Sequence, residues 1–368
     1  MGAWISKLLE KHMKAWQLDR LGGTLSFMDI AVPEPRPGSV LVRIEASALM
    51  SYLKAYVEGQ LPMYNPPKGS FTPGGNGVGT VHAIGRDVWH LQPGQRVVLS
   101  SHFTTAENVE DPAQILIGIT AFGPDAEKVQ ADWRDGTLAE YALWPAAAVT
   151  PAEGLSHIDS AQLAVLMRSI VPFGGLLRGR LAAGETLVVT GATGAYGGAA
   201  VLLAIAMGAG RVVAAGRNAV ALEAVARTGG ARVVPVVLTG DIQADASNLR
   251  AAANGGAQMA FDMVGGARDP NATLAALRSL RRGGRLVLMG SMSAPLPLSY
   301  MELMANNWEI IGNFMYPVDA WRRLLDLVRA GVLDVRAIRP RVFPLSALPE
   351  AMEAAASADS LECVVVHL

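Results

Sequence analysis

The 368-residue chain is long enough for about two domains. Its composition is 51% hydrophobic and 17% charged, with 39 glycines, which is typical of a compact globular protein and excludes a disordered or fibrous one. The net charge is −1 and neither sign clusters, so we expect no nucleic-acid partner. The apolar run at 199–209 is too short to span a membrane, and we expect no membrane partner. Cys363 is the single cysteine, which excludes an intrachain disulfide.

Residues 1–12 precede the first predicted strand and form an N-terminal extension. They contain no apolar segment followed by a cleavage site, so we expect no secretory signal and a cytoplasmic location. Met1-Gly2 with Ser6 matches the minimal myristoylation pattern, which is short and unspecific. We interpret the extension as amphipathic, with Trp4 and its apolar neighbours packing on the body of the protein.

From Met13 the sequence has the pattern of short strands separated by turns rich in proline and glycine. This spacing predicts an antiparallel, barrel-like β domain. The polar segment 101–136 predicts a long, loop-rich excursion that shapes the substrate pocket. The strands of this domain are predicted at residues 15–18, 39–46, 77–84, 96–100 and 138–143.

From Asp159 the pattern changes to alternating helices and strands, which predicts a doubly wound parallel sheet. The fold class is therefore α/β, with a Rossmann domain at 160–316 and a β domain at 13–159 that 317–368 complete. The last strand is expected to rejoin the β domain. Strands are predicted at 186–190, 211–215, 232–235, 259–263, 285–289, 309–314, 341–343 and 362–366, and helices at 161–177, 197–207, 219–228, 249–254, 271–280, 318–330 and 348–356.

A glycine-rich turn joins the first strand of this series to its first helix. Residues 187–200 read LVVTGATGAYGGAA, so the turn departs from G-x-G-x-x-G, with Ala192 in place of the first glycine. Glycine at a strand-to-helix turn lets the backbone approach a pyrophosphate, whose charge the helix N-terminus stabilises. The context predicts a dinucleotide site, with these residues as contacts: Thr190, Gly191, Thr193, Gly194, Ala195, Tyr196 and Gly197.

The end of the next strand indicates which dinucleotide binds. The strand is followed by Gly216, Arg217 and Asn218, and Arg217 lies where NAD enzymes usually place a carboxylate for the ribose hydroxyls. An arginine there can pair with the 2′-phosphate of NADP, and no carboxylate is present to repel that phosphate. We therefore expect NADPH (NADP) as the cofactor, whereas the alternative is an arginine in an exposed loop without this role.

These features together resemble the medium-chain dehydrogenase/reductase superfamily and, within it, the zinc-independent quinone oxidoreductase group. The resemblance implies a GroES-like β-barrel catalytic domain, a Rossmann domain with six parallel strands, and homodimers or homotetramers. It also implies that Val264, Gly265, Gly290, Asn313 and Phe314 line the nicotinamide side. The matching segments are Pro73-Gly74-Gly75 before Gly77-Val78-Gly79, Gly85, Pro93-Gly94-Gln95-Arg96-Val97, Gly136-Thr137-Leu138-Ala139-Glu140-Tyr141 and Phe261-Asp262-Met263-Val264-Gly265.

Zinc-dependent members of this superfamily bind the catalytic ion through Cys, His and a further Cys or Asp. At the corresponding places this chain reads Gly74-Gly75-Asn76-Gly77 and Ala48-Leu49-Met50-Ser51, without a thiol, an imidazole or a carboxylate. His82 and His90 lie nearby in sequence without thiolate partners, and we interpret them as hydrogen-bonded or solvent-facing. We therefore expect no metal.

The resemblance places an active-site tyrosine within residues 51–57. The aligned residue is Tyr56, Tyr52 lies one helical turn earlier, and Ser51 offers a further hydroxyl; these three are the candidate catalytic residues. The alternative is an aromatic side chain that covers the pocket without a chemical role. This chain departs from the group at Lys54, where relatives often carry an acid, and at Ile170, where they tend to carry threonine.

Three functions remain open. Without zinc, the charge that hydride transfer creates is best delocalised by a small-molecule substrate such as a quinone, an enone or an enoyl thioester. The leading prediction is therefore an NADPH-dependent oxidoreductase that reduces quinones or other conjugated carbonyls. The alternatives are a zinc-free alcohol or ketone oxidoreductase and a non-catalytic NADPH-binding protein.

Overall fold

The computed structural model describes residues 12–123 and 125–368, which form two compact units. The first unit comprises the described residues up to Met167 together with Pro340–Ala358 and Cys363–Leu368. The second comprises Arg168–Arg339 and Asp359–Glu362, so it extends past the predicted boundary at 316. The interpretation of the N-terminal extension, including its apolar residues and the myristoylation pattern, falls on residues 1–11, outside the described residues.

The described residues form eighteen strands and eleven α-helices. The strands are β1 (His12–Leu18), β2 (Leu25–Ala31), β3 (Ser39–Ala48), β4 (Gly77–Ile84), β5 (Arg96–Leu99), β6 (His102–Thr104), β7 (Gln114–Leu116), β8 (Thr120–Phe122), β9 (Tyr141–Pro145), β10 (Val149–Pro151), β11 (Thr186–Thr190), β12 (Arg211–Gly216), β13 (Val233–Val237), β14 (Ala257–Asp262), β15 (Leu280–Leu288), β16 (Glu309–Gly312), β17 (Arg339–Pro344) and β18 (Glu362–His367). The helices are α1 (Leu53–Val57), α2 (Ala126–Asp132), α3 (Ser160–Ala164), α4 (Met167–Arg178), α5 (Ala195–Ala206), α6 (Ala219–Gly229), α7 (Ile242–Ala252), α8 (Asn271–Arg278), α9 (Tyr300–Asn306), α10 (Ala320–Arg329) and α11 (Leu348–Ser357).

The first unit is built on a seven-stranded sheet of order β10-β5-β4-β3-β18-β17, with β9 also paired to β3. Because side chains alternate across a strand, Val40, Val42 and Ile44 of β3 enter one apolar core. Trp144 of β9 is fully buried in this core, and its indole N–H donates to the Ser100 carbonyl oxygen at 2.8 Å. Strand β18 pairs antiparallel with β3, so the last strand of the chain belongs to this sheet.

The excursion predicted at 101–136 contains regular structure. Strands β6, β7 and β8 form a separate three-stranded sheet, and α2 follows them. Ile115, Ile117 and Ala121 from this segment are buried in the main core of the first unit. The segment is therefore a folded part of the unit, which its polar composition did not indicate.

The second unit has a six-stranded sheet of order β13-β12-β11-β14-β15-β16, in which every neighbouring pair is parallel. This confirms the predicted Rossmann-type α/β fold. The strands are covered on both faces, so Val188 of β11 and Val213 of β12 are fully buried. The strand order reverses between β11 and β14, and ligands of such sheets bind outside the carboxyl ends of the strands at this point.

The helix predicted at 161–177 is divided into α3 and α4, and Pro172 lies inside α4. Among the described residues, the combined stretch Ser160–Arg178 has the length and hydropathy of a membrane-spanning helix. However, 78% of it is buried inside the protein, as expected for a core helix.

Candidate functional site

The glycine-rich turn lies at the carboxyl end of β11 and leads into α5. Gly191 has a φ of +71°, a conformation that favours glycine, and a Cβ atom there would lie 2.8 Å from the Met263 carbonyl oxygen. Gly197, in the first turn of α5, packs directly on the backbone of Gly191. Gly194 is the N-cap residue of α5, and no described side chain caps this N-terminus. The turn therefore presents backbone N–H groups that can donate hydrogen bonds to a phosphate.

A cavity of about 720 Å³ lies beside this turn, at the carboxyl ends of the strands. Its volume is that of a typical small-molecule site. It brings together seven of the predicted cofactor residues: Gly191, Thr193, Gly194, Gly216, Arg217, Val264 and Gly265. The loops after β13 and β14 complete the wall.

Two arginines line the cavity from different loops. Arg217 follows β12, and Arg268 lies in the loop between β14 and α8. Both are exposed, and neither forms an ion pair or hydrogen bond with another described residue. Arg268 could not be predicted from the sequence, because only the fold brings its loop close to the loop of Arg217.

The cavity wall also contains a carboxylate that the sequence did not reveal as part of the site. Asp245 of α7 is 1% exposed and accepts hydrogen bonds from the Thr239 N–H at 2.8 Å, the Thr239 hydroxyl at 2.9 Å and the Gly240 N–H at 2.9 Å. These bonds stabilise the turn after β13. The carboxylate is therefore engaged by the protein itself, unlike a carboxylate that binds ribose hydroxyls.

A second buried carboxylate joins the strand ends around the fingerprint. Asp262 accepts hydrogen bonds from the hydroxyls of Thr190 at 2.8 Å and Thr273 at 2.7 Å, and from the Val264 N–H at 3.1 Å. Thr190 was predicted to contact the cofactor, but its side chain is buried and its hydroxyl is committed to Asp262. Thr190 therefore positions the turn by connecting β11 to β14.

Ala195, Tyr196 and Asn218 do not line the cavity but lie close to the fingerprint turn or the next loop. Ala195 and Tyr196 belong to the first turn of α5. Asn218 is the N-cap of α6, and its side-chain oxygen accepts the Ala221 N–H at 3.1 Å. The side chain of Asn218 thus has a structural role, while its backbone remains next to Arg217.

The residues predicted for the nicotinamide side gather at the ends of β14, β15 and β16. Gly290 packs on the backbone of Val264, and Gly265 forms a parallel bridge with Ser291. Asn313 donates from its backbone to the Leu288 carbonyl oxygen at 3.0 Å and from its side chain to that of Met315 at 2.9 Å. Phe314, beside it, is 46% exposed.

The candidate catalytic tyrosines lie in the first unit, where they form an aromatic cluster with Tyr64. The ring centroids of Tyr52 and Tyr56 lie 6.0 and 5.4 Å from that of Tyr64. Tyr56 is fully buried, and its hydroxyl donates to the Ile119 carbonyl oxygen at 2.5 Å. Burial raises the pKa of the Tyr56 phenol, with a smaller contribution from Tyr64. The Tyr56 proton is thus committed to a structural hydrogen bond, whereas Tyr52 and Ser51 are half-buried.

Lys54, one of the two departures from the quinone oxidoreductase group, has a structural partner. Its ammonium lies 2.6 Å from a carboxylate oxygen of Glu353 on α11 and 3.8 Å from one of Glu58. The hydrogen bond with Glu353 is the main cause that raises the pKa of Lys54. The lysine therefore connects α1 to α11.

The chemistry of the side chains does not fit a catalytic zinc ion. Among the described residues, no three His, Cys, Asp or Glu side chains come together. Asn76 stands in the segment aligned with the zinc-binding run; it is buried, and its side-chain oxygen accepts the Ser101 N–H at 2.7 Å. His82 and His90 are both exposed, and the ring of His82 packs edge-on against Tyr141 at 5.1 Å. Zinc sites require thiolate, imidazole or carboxylate ligands, and these positions supply none.

Two family models and several proteins of known name match this chain. Residues 36–154 match the family described as "Alcohol dehydrogenase GroES-like domain", and residues 195–330 match "Zinc-binding dehydrogenase". An alcohol dehydrogenase of Moraxella sp. (strain TAE123) is 28% identical over 87% of this chain and 89% of its own length. An L-threonine 3-dehydrogenase of Anaeromyxobacter dehalogenans (strain 2CP-C) is 26% identical over 86% and 88%.

Solved structures show the same fold. A protein of the zinc-binding dehydrogenase type from Sinorhizobium meliloti 1021, solved bound to NADP, superposes with a TM-score of 0.78. The alignment covers 97% of this chain and 99% of that one at 23% identity.

Proposed function

Because the chain belongs to the medium-chain dehydrogenase/reductase superfamily, whose members are oxidoreductases, we propose that it is an NADPH-dependent enzyme that reduces quinones or other conjugated carbonyls without zinc. One observation carries the cofactor part of this proposal. Arg217 is exposed and unpaired among the described residues, on the wall of the cavity that contains the glycine-rich turn. Its guanidinium can pair with a 2′-phosphate. Two carboxylates lie on the same wall: Asp245 is engaged by the turn after β13, and Asp269 accepts the Asn271 N–H at 3.0 Å.

The absence of zinc is proposed from the donor set. Glycine and asparagine stand where the zinc-dependent relatives have histidine and an acid, and the Asn76 oxygen already accepts a backbone N–H. A zinc ion would have to bind without an imidazole or a thiolate from these positions, which is rare for its tetrahedral sites.

The substrate class follows from this donor set. Hydride addition to a simple ketone localises negative charge on one oxygen, which zinc would stabilise as a Lewis acid. Hydride addition to a conjugated carbon gives an enolate or a hydroquinone anion, in which the charge is delocalised. Hydroxyl donors are then sufficient, and Tyr52 and Ser51 remain the predicted catalytic residues.

The second candidate is an alcohol-type dehydrogenase. It is favoured by the relatives, which are named as dehydrogenases of an alcohol and of L-threonine. Without zinc, such a reaction would require a side-chain base beside the alcohol.

The two candidates are separated by a substrate panel. Purified protein is given NADPH or NADH with a quinone, a linear enone, an enoyl thioester and a simple ketone, and NADP or NAD with L-threonine and a simple alcohol, each with and without a chelator. We expect chelator-resistant turnover of NADPH with a conjugated substrate. Turnover confined to the ketone or the alcohols would refute conjugate reduction and favour the second candidate. Tight NADPH binding without turnover of any substrate would refute both enzymes and support a non-catalytic NADPH-binding protein.

We further propose a cytoplasmic location and a homodimer or homotetramer. The proposal on assembly is tested by light scattering of the full chain, and a monomeric mass at all concentrations would refute it.

A further inference from the structure

Arg168, the second residue of α4, is a buried cation that has no charged or hydrogen-bonding partner in the part of the chain that the structure describes. It is fully buried, and none of its three guanidinium nitrogens has a hydrogen-bond partner among the described residues. Its guanidinium carbon lies 5.6 Å from the ring centroid of Tyr196, in a cation–π contact. The resemblance to the quinone oxidoreductase group aligns Ile170 with a threonine that contacts the nicotinamide region, and it leaves Arg168 and Ser169 as possible substitutes for that threonine.

A cation–π contact does not offset the burial of an arginine. Removing an isolated guanidinium from water costs much more than one aromatic ring returns, and its unused N–H donors add to that cost. Buried arginines are normally paired with carboxylates, phosphates or carbonyl oxygens. The unused donors and the charge of Arg168 therefore fit a group that accepts hydrogen bonds and carries negative charge.

The packing of α4 shows where this position lies in the sheet. A Cβ atom on Gly179 would contact the side chains of Met259 and Val287, and one on Gly175 would contact the ring of Phe261. Since Met259 precedes Phe261 in β14, the helix runs antiparallel to this strand and its N-terminus points to the carboxyl edge of the sheet. Arg168 lies two turns before Gly175, a rise of about 10 Å along the helix axis. It therefore lies beyond the end of β14, which is Asp262.

Tyr196 confirms this placement from the neighbouring strand. It lies in the first turn of α5, directly after the glycine-rich turn at the carboxyl end of β11. Arg168 and Tyr196 thus meet where the strand order reverses between β11 and β14. Ligands of doubly wound sheets bind in the crevice at this point.

We propose that Arg168 binds an oxyanion beside Tyr196, which is either a phosphate of the dinucleotide or a carboxylate of the substrate. This inference rests on the proposed function for its dinucleotide form. Both groups match the planar fork of the guanidinium, which can donate two parallel hydrogen bonds to either. An oxyanion would satisfy the unused donors and neutralise the buried charge.

The test compares Arg168→Met and Arg168→Lys with the wild type, using thermal stability and calorimetric binding of NADPH. Arg168→Met removes the charge and keeps an apolar side chain of similar length. Without ligand, we expect it to be at least as stable as the wild type, because it removes an uncompensated buried cation. We expect NADPH to bind at least tenfold more weakly to Arg168→Met, with Arg168→Lys between the two.

Two controls isolate the effect. Arg323→Met removes another arginine over an aromatic ring, since its guanidinium carbon lies 5.7 Å from the ring centroid of Phe173, but that arginine is exposed. It should leave NADPH binding unchanged. The fragment 2′,5′-ADP lacks the nicotinamide-side phosphate. Equal binding of this fragment to Arg168→Met and the wild type, beside weaker binding of NADPH, would assign Arg168 to the nicotinamide-side phosphate, and weaker binding of the fragment would assign it to an adenosine-side phosphate.

The substrate arm uses fumarate, cinnamate and acetate as probes, with and without NADPH. If NADPH binds Arg168→Met normally, we expect at least one carboxylate to bind the wild type and to bind this variant at least tenfold more weakly. Equal binding of NADPH and of every carboxylate to both proteins would overturn the proposal. So would an equal loss of stability with and without NADPH, since that indicates a purely structural role. A wild type that binds neither NADPH nor 2′,5′-ADP would refute the proposed function, and the carboxylates would still decide the role of Arg168.

Discussion

The proposed selectivity for NADPH depends on Arg217, and a substitution can reverse the charge of this side chain without changing the core. Arg217 is exposed and has no partner among the described residues, so Arg217→Ala and Arg217→Asp remove no contact of the folded protein. An exposed ion pair contributes up to about 1 kcal/mol, which corresponds to roughly a fivefold change in Kd. Arg217→Asp adds repulsion of the phosphate to this loss, and the total is about 2 to 3 kcal/mol, or roughly 30- to 150-fold in Kd.

Calorimetric titration with NADPH and NADH measures this effect. We expect the Kd of NADPH to rise by these factors and the Kd of NADH to stay within about twofold, because NADH lacks the 2′-phosphate. High salt should narrow the difference between the wild type and Arg217→Asp, since it screens exposed charges. Arg227→Asp is the matched control, because Arg227 is an exposed arginine on α6 that does not line the cavity. Equal weakening of NADPH and NADH by Arg217→Asp would refute the assigned role.

Three further experiments, with five variants, test the site. Asp262→Asn should lower the free energy of unfolding by about 3 kcal/mol in urea titrations, because the buried carboxylate accepts three hydrogen bonds; an unchanged midpoint would contradict this. Gly191→Ala should destabilise the protein by about 1 to 3 kcal/mol and abolish NADPH binding. Gly230→Ala is the control, because Gly230 has a φ of +78° and no atom lies within 4 Å of the added Cβ, so this variant measures the cost of the backbone conformation alone. An equal loss of stability in the two variants would exclude a steric clash at Gly191. Tyr56→Phe should lower the free energy of unfolding by about 1 kcal/mol, because it loses one hydrogen bond, and should keep kcat within about threefold. Tyr52→Phe should lower kcat at least tenfold. A larger loss of kcat in Tyr56→Phe than in Tyr52→Phe would show that Tyr56 is the proton donor.

The sequence predicted the parallel sheet well, for a physical reason. Strands that are covered on both faces read as continuous apolar runs, and β11 and β12 do so around Val188 and Val213. The turn between β11 and α5 was predicted because its glycines are required locally: Gly191 has a positive φ and Gly197 packs on backbone.

Other elements gave no such signal. Strand β2 was missed because most of its residues are exposed or half-buried, without a regular apolar alternation. Helix α9 contains no buried residue, so its apolar pattern could not indicate a packed face. The strands of the 101–136 segment are three residues each, which is too short for a periodicity to appear.

The site was predicted only where its residues are close in sequence. Arg217 was found because it follows the fingerprint at a characteristic distance. Arg268 and Asp245 reach the cavity only through the fold, from loops and helices far along the chain. Thr190 was predicted as a cofactor contact because its position beside the glycine-rich turn suggested a free hydroxyl. The acceptor that binds this hydroxyl, Asp262, lies 72 residues away in the sequence, so the hydrogen bond could not be predicted. The hydrogen bond from the buried Tyr56 hydroxyl to the Ile119 carbonyl oxygen likewise could not be predicted from the sequence.

The central claim is hydride transfer from NADPH to a conjugated carbonyl without zinc. Its most direct test measures kcat/KM for NADPH oxidation by a quinone in one protein preparation, before and after removal of zinc and after its return, with the bound zinc determined by mass spectrometry. We predict the same kcat/KM in all three samples, including the one without detectable zinc. Activity that rises in proportion to bound zinc would contradict the account.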